Sequence, residues 1–117
     1  MGLFSRRAPV PSTGHSEDDE LYALIAQRSD IRAPRHWVHY LYFPDESGAR
    51  AACAAAVDHG WVLQRVGAPA AGEEWIVIAE RRDIVVTPEA IRDARAFFGA
   101  LAASIRGGEY DGWEASL

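Results

Sequence analysis

The sequence predicts an α+β domain: a ferredoxin-like antiparallel sheet in the order βαββαβ, preceded by one additional helix. Strand-like runs rich in Trp, Val, Ile, Tyr and Phe alternate with Ala-rich stretches whose apolar residues keep helical spacing. After the first helix these elements follow one another as strand, helix, strand, strand, helix and strand, which is the split βαβ pattern. The 117 residues are enough for one domain.

Three segments are predicted along the chain. Residues 1–15 are expected to be a disordered tail, because Pro, Ser and Gly punctuate them and little in them can be buried. Residues 16–35 are expected to form a helix and a linker, with Ser16 as the N-cap and four acidic residues in the first turn. Residues 36–117 are expected to form the ferredoxin-like domain.

Local composition predicts the elements of that domain. Trp75 to Ala79 is continuously apolar, which indicates a strand buried on both faces. Thr87, Pro88 and Glu89 supply a capping side chain, a proline at the first helical position and an acid in the first turn, and together predict a helix start. The expected strands are residues 36–43, 61–66, 74–80 and 110–117, and the expected helices, both on one face of the sheet, are residues 46–59 and 88–106.

The first strand divides its aromatic residues between the two faces of the sheet. One face carries Trp37, His39, Leu41 and Phe43, and the other carries Val38, Tyr40 and Tyr42. Because two helices cover only one face, we expect the second to be covered by the N-terminal helix or by another subunit. An alternative is that the tyrosines stack on single-stranded RNA. The signature motif of RNA-recognition modules, which pairs such aromatics with Arg, Lys and Gly, is missing from this strand.

Composition and spacing argue against several functions. The net charge of −5 and the lack of a basic face disfavour direct binding of nucleic acid and favour a partner rich in Arg or Lys. No metal site or cofactor is expected, since His36 and His39 point to opposite faces of a strand and Cys53 is the only cysteine. No nucleophile elbow, phosphate loop or carboxylate pair indicates an enzyme. No targeting or membrane-spanning run appears, so a cytoplasmic protein is expected.

Several short motifs give the chain a resemblance to a known family. A long helix introduced by Val86-Thr87-Pro88-Glu89 is followed by Glu109-Tyr110-Asp111-Gly112-Trp113-Glu114. His39-Tyr40-Leu41-Tyr42-Phe43 precedes an Ala-rich helix that ends in His59-Gly60-Trp61. This combination, over roughly residues 36–117, resembles the RraB family of ribonuclease E regulators. The resemblance implies a ferredoxin-like fold and a protein that binds ribonuclease E and restrains RNA turnover.

The sequence therefore predicts a non-catalytic regulator that binds a protein, and it leaves a homodimer open. The partner would be ribonuclease E or another protein with a basic segment. An RNA-binding sheet face and an oligomerising structural module remain as alternatives. The residues predicted to contact the partner are Tyr40, Tyr42, Glu73, Glu74, Glu80 and Asp83. The run Tyr110, Asp111, Gly112 and Trp113 is predicted to be structural, with Asp-Gly making a turn or bulge and Trp113 filling the core.

Overall fold

A computed structural model describes residues 12–68 and 74–117 as three helices and one four-stranded antiparallel sheet. In chain order the elements are α1 (Ser16–Arg28), β1 (Arg35–Phe43), α2 (Glu46–Asp58), β2 (Val62–Gly67), β3 (Trp75–Ile84), α3 (Pro88–Ser104) and β4 (Glu109–Ala115). The strands lie in the order β2-β3-β1-β4, and each neighbouring pair is antiparallel. The prediction of an α+β domain with an antiparallel sheet is confirmed.

Side chains fix where the helices begin. The carboxylate of Asp45 accepts a hydrogen bond from the Gly48 N–H at 2.8 Å, and the Thr87 hydroxyl accepts one from Ala90 at 3.0 Å. The prediction that Ser16 caps α1 is wrong, because His15 is the N-cap and its Nδ1 accepts from the Asp18 N–H. The cap lies one residue before Ser16 because the His15 ring supplies the acceptor for a free N–H of the first turn.

The core lies between the helices and one face of the sheet. Trp37, His39, Leu41 and Phe43 project to this face and are each 1% exposed or less. Phe98 of α3 stacks on His39 with ring centroids 4.6 Å apart. Small buried residues of α2, among them Ala49, Ala52 and Ala56, let that helix lie close to the strands.

Helix α1 packs on the same face as α2 and α3. Its Ile25 belongs to the core, and its buried Asp18 accepts hydrogen bonds from Arg95 of α3 and Trp113 of β4. The expectation that this helix covers the second face of the sheet is therefore wrong. The buried carboxylate needs its two donors, and both of them lie on the helix side.

Most of the predicted tail lies outside the described residues, which begin at Ser12. Thr13 is buried, and its N–H and hydroxyl each donate to the Asp19 carboxylate at 2.7 Å. This contact ties the residues before α1 to its first turn. No helix within residues 12–68 and 74–117 is long and apolar enough to cross a membrane.

Candidate interaction face

The second face of the sheet, called here the open face, carries Val38, Tyr40 and Tyr42 of β1. In the strand register, Tyr40 lies opposite Ile78 of β3, and Tyr42 lies opposite Ile76. None of these five residues belongs to the core cluster. All three helices pack on the other side of the sheet, so the open face has no helical cover among the described residues.

The two tyrosines on this face are half-buried, and one of them holds a carboxylate in place. The Tyr40 hydroxyl donates to Oε2 of Glu114 at 3.2 Å. Partial burial, followed by the negative charge of Glu114, raises the pKa of Tyr40 above its ordinary value. Tyr40 therefore stays protonated and remains a hydrogen-bond donor at neutral pH.

Glu80 is the centre of a polar network on the open face. Its side chain is 7% exposed and accepts hydrogen bonds from His36 Nε2 at 3.0 Å, Gln64 Nε2 at 2.9 Å and Arg82 Nε at 2.8 Å. Burial raises the pKa of Glu80, but the bonds from His36, Arg82 and Gln64 outweigh it, and the pKa lies below its ordinary value. Glu80 is thus ionised and already paired.

A pocket of about 290 Å³, called here the open-face pocket, lies along β1. It is lined by His36, Val38, Tyr40, Gln64, Glu114, Ala115 and Ser116. Three strands contribute to it, which is why the sequence alone did not show it. The signal for Glu114 was nonetheless present, because it follows the core residue Trp113 in a strand and must point to the opposite face.

The residues predicted to contact a partner do not all converge on this face. Tyr40, Tyr42 and Glu80 lie together on the open face. Glu74 is exposed just before β3, and Asp83 is exposed near its end with a φ of 53°. Glu73 lies outside the described residues.

The run from Tyr110 to Trp113 joins the sheet to the helices. The Tyr110 hydroxyl hydrogen-bonds Nδ1 of His39 at 2.8 Å, and the Trp113 indole donates to Asp18 at 2.9 Å. The β1–β4 register shifts beside Gly112, whose φ of 105° favours glycine. Asp111 is exposed.

A second cleft, of about 330 Å³, lies on the helix side between α2 and α3. Trp61 and Phe97 line it, and the Arg81 guanidinium lies 3.9 Å from the Trp61 ring centroid. Arg81 also donates to the His59 carbonyl at 3.0 Å. These contacts hold the C-terminal end of α2 against β3.

The described residues offer little for catalysis. Among residues 12–68 and 74–117, no three His, Cys, Asp or Glu side chains are grouped as a metal site requires. Burial raises the pKa of the Cys53 thiol, with a smaller opposing effect from Arg50, so the nucleophilic thiolate is disfavoured.

Fold and site together define a small α+β domain in which the described helices cover one face of an antiparallel sheet and leave the other face open. The model of one family, described as regulator of ribonuclease activity B, matches residues 15–115. The chain belongs to this RraB family, as its motifs predicted. The family is one of regulators of ribonuclease activity. Among curated proteins, none matches the sequence.

Proposed function

We propose that the protein is a non-catalytic, cytoplasmic regulator that binds ribonuclease E through the open face and restrains RNA cleavage. Membership of the RraB family supports the regulatory role. The observation that carries the choice of surface is that Tyr40 and Tyr42 remain partly exposed on a face that no described helix covers. Exposed aromatic residues on a rigid sheet are the side chains that most often anchor protein interfaces.

The ferredoxin-like class is part of this proposal. The strand order β2-β3-β1-β4, with α2 and α3 packed on one face, supports it. In this reading α1 is an addition to the domain, pinned beside α3 and β4. A sheet of this kind leaves its second face available for a partner.

Carboxylates on the open face favour a basic protein segment over RNA. Glu114 and Glu109 lie on β4 opposite Val38 and Tyr42. Phosphates would meet repulsion there, whereas Arg or Lys side chains would not. Each exposed ion pair contributes only about 0–1 kcal/mol, so the tyrosines must supply most of the anchoring.

The test is direct binding of the purified protein to purified ribonuclease E, measured as association and dissociation rates. Replacing both tyrosines (Tyr40→Ala with Tyr42→Ala) should raise the dissociation rate about 10-fold or more, because interface aromatics are typical hot spots. The double Tyr→Phe variant is the matched control and should retain most of the affinity, since it keeps both rings. Circular dichroism must show that both variants are folded.

A second arm uses a labelled single-stranded RNA in place of the enzyme. Binding of RNA by the wild type, without binding of ribonuclease E, would favour the RNA-binding alternative. Sedimentation of the free protein tests whether a second copy covers the open face. A stable dimer that is broken by the Tyr→Ala pair would assign this face to self-association instead.

A further inference from the structure

We propose that the open-face pocket receives an arginine side chain of the protein partner. This inference rests on the proposed function only in taking the partner to be a protein. It adds a specific acceptor site, built around Val38 and Glu114, to a surface whose partner contacts were so far assigned mainly to its tyrosines.

The strand register places Val38 between two glutamates. Glu80 of β3 is its neighbour on one side, and Glu114 of β4 is its neighbour on the other. Since adjacent strands are about 4.8 Å apart, the backbone positions of the two glutamates are roughly 10 Å apart across Val38. Val38 therefore forms an apolar floor beside Glu114, and both residues line the pocket, whereas Glu80 lies on the far side of Val38 and does not line it.

The two glutamates are not equivalent. Glu80 is buried and accepts from three side chains, so its charge is already compensated. Glu114 is exposed and accepts from the Tyr40 hydroxyl. No basic side chain of the described residues forms an ion pair with Glu114. Glu114 is thus an oriented carboxylate with acceptor capacity to spare.

Arginine matches this arrangement better than lysine does. A guanidinium is planar, so it can stack on the Tyr40 ring while its N–H groups donate to Glu114. Its aliphatic stem would lie over Val38, the apolar floor of the pocket. A lysine ammonium offers the charge but neither the planar stacking nor the fork of donors. The Glu114 carboxylate repels phosphate and acidic side chains.

The probe is a fluorescein-labelled Gly/Ser peptide with a single arginine, compared with peptides in which lysine or citrulline replaces it. Fluorescence anisotropy gives the three dissociation constants. Binding should weaken in the order arginine, lysine, citrulline. Glu114→Gln should weaken the arginine peptide about 10-fold, as loss of a charge-assisted hydrogen bond does.

Asp58→Asn is the matched control, since it removes the same charge from an exposed position at the end of α2, on the helix side of the sheet and outside the pocket. This variant should change the dissociation constant less than about twofold, the scale expected of an unpaired surface charge. Equal losses of affinity in Glu114→Gln and Asp58→Asn would show that the effect comes from net charge alone and would overturn the pocket. So would an arginine peptide that binds no better than the citrulline peptide.

Parallel measurements with ribonuclease E separate the two proposals. If the enzyme binds wild type and Glu114→Gln equally well, the pocket is refuted and the proposed function stands. If the peptide series behaves as expected but ribonuclease E does not bind, the pocket stands and the choice of target is wrong.

Discussion

Replacing Asp18 by Ala should strongly destabilise the fold, because this carboxylate joins three elements. Asp18 is 3% exposed. It accepts from Arg95 Nε at 2.5 Å, from Arg95 Nη2 at 2.9 Å and from Trp113 Nε1 at 2.9 Å. The substitution leaves the indole N–H buried without an acceptor and the guanidinium without its counter-ion.

The magnitude follows from the burial of the partners. Removing one member of a buried pair typically costs about 3–5 kcal/mol. The Arg95 side chain is 30% exposed and can recover part of its hydration, which lowers the expected loss. An unsatisfied buried donor such as the Trp113 N–H adds about 1–3 kcal/mol. We expect a net loss of about 3 kcal/mol in the free energy of unfolding.

Urea denaturation of wild type and variant measures this loss. Glu17→Ala is the control, an exposed acid of the same helical turn, and should change stability by less than about 1 kcal/mol. Trp113→Phe keeps the aromatic ring, removes the donor and should show coupling with Asp18→Ala in a double-mutant cycle. If Asp18→Ala lost no more free energy of unfolding than Glu17→Ala, the conclusion that Asp18 holds α1 against α3 and β4 would be refuted.

Three further results are expected. Burial, aided by Arg81 and Arg95, holds the pKa of His39 well below 6.5, so the unfolded state binds a proton that the folded state does not. Stability should thus fall by about 1 kcal/mol between pH 7.5 and 5.5, and His39→Phe should flatten that slope in urea titrations. Gly99→Ala should stabilise by about 0.5–1 kcal/mol, whereas Gly108→Ala should destabilise by at least about 1 kcal/mol, because its Cβ would lie 2.5 Å from a backbone oxygen. Association with ribonuclease E should slow between about 0.05 and 0.5 M salt, as the Debye length shortens from about 14 to 4 Å, and indifference to salt would refute the electrostatic contribution.

Local patterns predicted much of this fold. Alternation along β1 correctly separated Trp37 and His39 from Tyr40 and Tyr42, since side chains of a strand point to opposite faces. The cap and proline of α3 marked its start at Pro88. Such features depend on neighbours in sequence, which is why they could be predicted.

The features that could not be predicted depend on contacts between residues that are far apart in the sequence. Asp18 looks like any acid in a first helical turn, but its partners Arg95 and Trp113 lie 77 and 95 residues away. Glu80 looks like a free acid near a strand end, yet β3 continues to Ile84 and three donors occupy its carboxylate. The open-face pocket, assembled from three strands, has no local signature at all.

The central claim is that the open face binds ribonuclease E. The most direct measurement is the dissociation constant of the protein with purified ribonuclease E, for wild type, the Tyr40→Ala/Tyr42→Ala variant and its Tyr→Phe control. The account predicts saturable binding by wild type and control, and binding at least about 10-fold weaker by the folded Tyr→Ala variant. Equal affinity of all three proteins, or no binding by wild type, would contradict it.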